Sequence, residues 1–543
     1  MLGSMMNRPL LIAPLLKHAA RWNGGQEIVS RRCEGDIHRY TYADAYRRVG
    51  QLAHALSDFG IVLGDRVATL AWNTYRHLEL YFGVSGIGAV CHTINPRLFP
   101  DQIAYIINHA QDRILCLDLT FVPLMEKLAA HCPKVEAYVI LTDRAHMPET
   151  SLPNALSYEE WIADRPESFD WPEFPETTAS SLCYTSGTTG NPKGVLYTHR
   201  SSVLHSYGIA MPDVFNVSRA SCILPAVPMF HVNAWGVPYM APLIGAKLVL
   251  PGPALAGAPM AELIATEGVT LLAGVPTIWR MLLDHLKATG QRLDSVDRVV
   301  IGGAACPPGM IQEFDDLGTY VLHAWGMTET SPLGTANNLT PEEHALPQDQ
   351  RTARQVKQGR PVSGVDLRIT GTEGEDLPHD GKAFGDLWIQ GHWIASSYFG
   401  RDDDPAFKDG WFMTGDVATI DPEGRMQIVD RSKDVIKSGG EWISTIELEN
   451  IAASMPGIAE AAVVGLKHPK WDERPLLLCV RKEGSTATKE QVLAGYEGRI
   501  AKWWLPDDVV FVEGLPHTAT GKLLKTKLRE EFSSYYFDTV GAV

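Results

Sequence analysis

The sequence predicts an α/β protein of more than one domain, and three observations carry that reading. Helical and strand-like segments alternate from about residue 42 to 145 and again from about 181 to 400, the order that parallel strands with crossover helices require. At 543 residues the chain exceeds what one hydrophobic core serves. The charged stretch 431–437, followed by Gly439 and Gly440, reads as a hinge into a C-terminal domain of about 110 residues, an ordinary domain size.

Taken in order, the apolar patch 9–16 reads as an amphipathic first helix. It lacks the charged start and small-residue cleavage site of a signal peptide. Tyr46, Val49, Leu52, Ala53 and Leu56 recur at helical spacing, with Gly60 placed to end that helix. A short buried strand follows at 67–71, then a helix at 101–108 and a strand at 114–117. The segment 146–178, rich in Pro, acids and Trp, reads as an irregular connection. A strand at 181–184 runs into a glycine loop, and a last strand of the large region falls at 424–430. The expected domains are 1–430, a hinge at 431–433, and a smaller α+β domain at 434–543.

Composition narrows the function classes. Hydrophobic residues are 45% and charged residues 21% of the chain, the balance of a globular protein and not of a disordered one. A formal net charge of -16 argues against nucleic acid, which calls for a basic face. No apolar run reaches the roughly 18 residues of a membrane span. The eight cysteines are scattered with no C-x-x-C pair, which speaks against a zinc site or a disulfide framework. Reduced thiols in a cytoplasmic protein are the expectation.

The densest chemistry lies at 184–195, Y-T-S-G-T-T-G-N-P-K-G-V. Gly187, Gly190 and Gly194 let the backbone approach a ligand closely. Thr185, Ser186, Thr188 and Thr189 add hydroxyls, successive N–H groups can form an anion nest, and Lys193 brings a positive charge. This is a phosphate-cradling loop, yet the spacing of Gly187, Gly190 and Lys193 does not match the G-x(4)-G-K-[ST] of a P-loop NTPase.

The loop closely resembles the signature of the adenylate-forming superfamily of acyl-CoA synthetases, adenylation domains and luciferases, and further motifs follow in the family's order. They are P-M-F-H-V-N-A-W-G at 228–236, Gly302-Gly303-Ala304, and Trp325-Gly326-Met327-Thr328-Glu329, with Trp where the family has Tyr. After them come W-F-M-T-G-D at 411–416, Asp430-Arg431-Ser432-Lys433-Asp434, and P-H-T-A-T-G-K-L-L-K at 516–525. The resemblance spans essentially the whole chain. The pattern, including K-W-D-E-R-P at 470–475, is most similar to bacterial medium-chain fatty acyl-CoA ligases and 3-methylmercaptopropionate-CoA ligases.

The resemblance implies a large N-terminal domain of several subdomains, with mostly parallel sheets packed by helices, and a small mobile α+β C-terminal domain. It implies ATP and coenzyme A as co-substrates and Mg²⁺ as the metal, with Thr185 and Glu329 as its ligands. Thr185, Ser186, Gly187, Thr188, Thr189, Gly190 and Lys193 would hold the β- and γ-phosphates. Gly303, Ala304, His323, Ala324, Trp325, Gly326 and Met327 would run along the nucleotide. Thr328 would donate to the α-phosphate, Asp416 would hold the ribose with Arg431 in support, and Lys522 would bridge carboxylate and α-phosphate. His231 would serve as a gate between acyl and thiol channels, and His231, Val232, Trp235, Gly302, Gly326 and Pro332 would line the acyl pocket. Lys437, Ser438, Gly439, Gly440, Glu441 and Trp442 would line the pantetheine tunnel, with Lys433 at the pivot.

The expected reaction joins an acid and CoA through an acyl-adenylate, the acid being a medium-chain fatty acid or a similar short, medium or aryl-substituted alkanoate. Two alternatives stand beside it: an adenylating enzyme that loads a carrier protein, and a non-catalytic ligand sensor on the same fold. A homodimer and transient membrane contact complete the expectations.

Overall fold

A capping box opens the first long helix. Thr41 accepts from Asp44 N–H, Asp44 answers to the Thr41 backbone, and the helix runs Tyr42–Asp58. Its buried face is Val49, Leu52, Ala53 and Leu56, and Gly60, at φ +87°, turns the chain out of it. The computed structural model describes residues 1, 3–185, 191–371, 373–438, 441–517 and 523–539, the side chains of Glu441 and Trp442 excepted. The first helix is Ala13–Trp22, a few residues later than the apolar patch suggests. Strands at Arg66–Leu70 and Ile114–Leu117 and a helix at Pro100–Ala110 fall where expected.

Two compact units emerge. The first comprises Met1–Thr185, Asn191–Asp366 and Ile389–Phe412, and most of the second is Leu367–Trp388 with Met413–Val543. Among the described residues the first unit holds two large sheets. One has seven strands in the order Ala155–Ser157, Ala137–Ile140, Ile114–Leu117, Arg66–Leu70, Val90–Thr93, Ala179–Tyr184 and Gly194–Thr198. All its pairs are parallel except the last, a hairpin around the glycine loop. The other has nine strands with a parallel centre: Tyr320–Gly326, Arg298–Ile301, Leu271–Gly274, Cys222–Pro225, Lys247–Leu250 and Glu27–Arg31. Antiparallel strands close both of its edges. The central strands read as near-continuous apolar runs, as strands covered on both faces do.

The segment 146–178 is less irregular than its composition suggests. It contains the edge strand Ala155–Ser157 and a short helix, Tyr158–Ile162, that buries Tyr158, Trp161 and Ile162. Five residues are too few for helical periodicity to register in the sequence.

The second unit contains a long hairpin, Ile458–His468 against Asp472–Arg481, with Asp508–Phe511 parallel to the latter. Helix Thr445–Ala453 and residues Ile443, Leu448, Val463, Leu477 and Tyr496 form its core. No described helix is long and apolar enough to cross a membrane.

Candidate active site

In open parallel sheets ligands bind beyond the carboxyl ends of the strands, and the predicted residues of the first unit fall there. The strands Cys222–Pro225, Leu271–Gly274, Arg298–Ile301 and Tyr320–Gly326 are successive parallel neighbours, so 226–236, 275, 302–304 and 327–332 leave one edge. In the other sheet, Ala179–Tyr184 leads into Thr185. Asn73, buried beyond strand Arg66–Leu70, ties the two edges together. Its amide donates to the carbonyls of Pro225 and Val227, 2.9 Å each, and accepts from Met229 N–H at 2.6 Å. Tyr197 adds a second tie, its hydroxyl donating to the Thr328 carbonyl at 2.6 Å.

The base of the glycine loop is closed by two bonds: Thr185 N–H to the Lys193 carbonyl (2.8 Å) and Lys193 N–H to Thr185 Oγ1 (3.3 Å). Lys193 Nζ donates to Asp404 Oδ2 at 2.7 Å and sits 4.5 Å over the Tyr398 ring. The Tyr398 hydroxyl donates to Glu329 Oε1 at 2.7 Å. Burial raises the Tyr398 phenol far above its ordinary range, with the Glu329 charge adding to it, so it stays protonated as a donor. Burial also works to raise the Asp404 carboxyl, but the Lys193 hydrogen bond and the Ala406 N–H outweigh it and hold Asp404 below the usual range. Glu329, 5% exposed, lies in the tight turn Thr328–Thr330. That turn is anchored by Met327 N–H bonds to Thr330 Oγ1 and to the Pro332 carbonyl. A Cβ on Gly326 would stand 1.8 Å from the Pro332 oxygen, so this approach admits only glycine.

Three of the predicted acyl-pocket residues, Val232, Trp235 and Gly302, meet at an unusual turn. Val232, Asn233, Ala234 and Trp235 have φ of 47°, 51°, 47° and 57°, and Gly236 follows at 79°. Left-handed backbone costs about 1–2 kcal/mol per non-glycine residue, so the surroundings must hold it. Asn233 supplies the hold. Its amide donates to Ser181 Oγ at 2.9 Å and accepts from the Tyr81 hydroxyl at 3.3 Å. The turn sets Trp235 against Gly302, where a Cβ would meet the indole at 3.2 Å. Phe230 packs edge-on to Trp72, and His231 N–H donates to the Pro228 carbonyl. His323 Nδ1 lies 3.0 Å from the Val356 carbonyl, and burial takes its imidazole down to about 4.

In the second unit Asp416, 3% exposed, pairs across two strands with Arg431. Arg431 Nε lies 2.9 Å from Asp416 Oδ1. Gly415, at φ +73°, gives its carbonyl to Ser432 N–H, which fixes the start of the segment after the strand. Burial lowers the Lys433 ammonium, with Asp434 opposing and Arg431 and Arg529 assisting. Lys437 and Ser438 lie on a short strand paired with Glu441–Ile443. The K-W-D-E-R-P segment grips it: Glu473 accepts from Lys437 N–H, and Arg474 donates to Ser438 Oγ.

Ser186, Gly187, Thr188, Thr189, Gly190, Gly439, Gly440 and Lys522 lie outside the described residues, and Glu441 and Trp442 are described by backbone alone. Sequence reasoning missed Asn73, Tyr197, Asn233, Tyr398 and Asp404, whose partners lie 52 to 211 residues away. It also passed over Lys525, three residues beyond Lys522, which is buried against Glu449 at 2.7 Å and is structural.

Comparison with known proteins gives the family and the fold. The AMP-binding enzyme family matches residues 16–399, and the AMP-binding enzyme C-terminal domain matches 447–522. A 3-methylmercaptopropionyl-CoA ligase of Ruegeria lacuscaerulensis is 53% identical over 98% of this chain and 99% of its own. A medium-chain-fatty-acid–CoA ligase of Ectopseudomonas oleovorans is 51% identical over 98% of each. Among solved structures, ATP-bound MatB from Rhodopseudomonas palustris superposes with a TM-score of 0.81 at 27% identity, covering 96% of this chain and 99% of that one.

Proposed function

This chain belongs to the AMP-binding enzyme family, and from that premise we propose that it is a cytoplasmic acid–CoA ligase for a medium-chain fatty acid or a similar short, medium or aryl-substituted alkanoate. One observation carries the chemistry: the lysine at the base of the glycine loop and the buried Glu329 meet on a single tyrosine. A phosphate-directed cation and a metal-directed carboxylate thus belong to one site.

The reaction has two steps. The acid's carboxylate oxygen attacks the α-phosphorus of ATP and pyrophosphate leaves. The thiol of CoA then attacks the acyl carbonyl, AMP leaves, and the thiol proton goes to solvent. Both steps bring anions together, so positioning and charge neutralisation carry the catalysis. Lys193 and the loop hold the β- and γ-phosphates, Thr328 binds the α-phosphate, and Lys522 bridges it to the carboxylate. Asp416 accepts the ribose hydroxyls with Arg431 beside it. The acyl chain runs past His231, Val232, Trp235, Gly302 and Pro332. The segment 437–442 serves the thiol after residues 434–543 turn about 431–433.

Mg²⁺ fits the donors present, since the Glu329 carboxylate and Thr185 hydroxyl are the hard oxygens it prefers. When bound it supplies charge neutralisation at the phosphates. A homodimer that collects fatty acid by transient membrane contact is the assembly proposed. The identity of the two ligases at 51–53% favours CoA over a carrier protein as acceptor and an active enzyme over a sensor.

An acid panel from propionate to decanoate, with methylmercaptopropionate and arylalkanoates, scored by CoA consumption, tests the reading. Turnover is expected to peak at a medium-length acid, and no CoA loss with any acid would overturn it. Lys522→Ala should abolish acid-dependent pyrophosphate release while ATP still binds. Gly439→Trp should block thioester formation and spare the adenylate.

A further inference from the structure

Glu329 and Lys193 are 136 residues apart in the chain, and the segment 395–404 touches the elements that carry both. Ala395 N–H donates to the Glu329 carbonyl at 2.8 Å, and Phe399 N–H donates to the Gly194 carbonyl at 2.8 Å. Between these backbone ties, Tyr398 reaches Glu329 Oε1 through its hydroxyl and offers its ring face to the Lys193 ammonium. Asp404 then takes one hydrogen bond from that ammonium. Asp404 is itself fixed, since its Oδ1 accepts from Ala406 N–H and its carbonyl from Phe407 N–H.

We propose that Tyr398 and Asp404 are positioning residues for nucleotide and metal, a strap that holds the Glu329 carboxylate and the Lys193 ammonium in one fixed arrangement before ATP arrives. The inference rests on the ligase reading.

The chemistry of each group suits this role. An ammonium has three N–H donors, so one bond to Asp404 orients the lysine and leaves donors for a polyphosphate. A cation over a ring face is drawn to the ring's quadrupole, which adds a second restraint on the lysine. A phenol bonded to one carboxylate oxygen restrains the rotation of the whole carboxylate, as outer partners of metal ligands do. Lys193 would otherwise carry the rotamer freedom of a long side chain, which binding must remove. The strap removes it in advance.

The test uses the full-length enzyme. Tyr398→Phe deletes one oxygen and keeps the ring under Lys193. Titration of Mn²⁺ in the presence of α,β-methylene ATP, read by water-proton relaxation, should show binding weakened about tenfold, the lower end for loss of an outer partner of a metal ligand. Asp404→Asn should raise the KM for ATP several-fold, leave kcat and the KM for the acid near parent values, and Asp404→Glu should recover part of the loss. Parent-like Mn²⁺ binding by Tyr398→Phe, or equal changes in both KM values with Asp404→Asn, would overturn the strap. Unchanged thermal midpoints in both variants separate positioning from folding. Should the parent enzyme itself show no acid-dependent pyrophosphate release, the ligase reading fails; normal parent turnover with parent-like variants refutes the strap alone.

Discussion

Two of the charge networks in the first unit are built differently. One is closed. Arg48 bonds Glu79 at 2.7 Å and Glu159 at 3.0 Å, while Arg76 bonds Glu159 at 2.8 Å and Glu34 at 2.7 Å. The hydroxyls of Tyr158 and Tyr75 fill in at Glu79 and Glu159. The cations are guanidiniums, whose rigid forks suit buried multidentate pairing, and the Glu79 side chain is fully enclosed. The other network is Lys193, Asp404, Tyr398 and Glu329. Its cation is a flexible ammonium with a third of its side chain exposed. Arginines each held by two carboxylates specify a fold, whereas a lysine with donors in reserve specifies a ligand.

The largest effect that could break this contrast comes from Glu329→Gln. Acid-dependent pyrophosphate release should fall about 10²–10³-fold, the loss seen when one preorganised electrostatic group is removed, with little change in the urea midpoint. A matching loss of stability would place Glu329 with the structural network. Next is Glu79→Ala, which leaves Arg48 without its enclosed partner and should cost about 3–5 kcal/mol in urea unfolding. The KM for ATP of the folded enzyme should hold, and a selective rise in it would erase the distinction.

Asn233→Ala should act between these extremes. Losing a buried amide that holds a strained turn costs about 1–3 kcal/mol, and KM should rise for the acid more than for ATP in steady-state assays. Equal effects on both substrates would detach the turn from the acyl pocket. The smallest effect is one of pH. His38 stacks on Tyr75 in the closed network at 3.9 Å, and burial, with the Arg48 charge, takes its imidazole from 6.5 to about 4. The unfolded chain therefore binds the extra proton first, so this part of the stability is present above about pH 6.5 and is lost as pH falls toward 4. Asp404, held below the usual carboxylate range, keeps its pairing with Lys193 across that window. His38→Phe should flatten the pH dependence of the urea midpoint there, and an unchanged slope would remove His38 as its source.

What the sequence alone determined was local or linear. Helical spacing in 42–58, continuous apolar strands and the glycines of 184–195 each express a short-range rule, and a parallel α/β fold follows from their order. Motif order gave the family and, with it, Glu329 and Asp416 as candidates. Tertiary structure decided which groups those residues rest on. Tyr398 meets Glu329 across 69 residues, Asp404 meets Lys193 across 211, and Asn233 meets Ser181 across 52. No periodicity encodes such pairs, since they form only where strand ends from different parts of the chain converge. The left-handed turn at 232–235 was equally hidden, because Val, Ala and Trp carry no local preference for it and only the contacts around Asn233 and Gly302 hold it there.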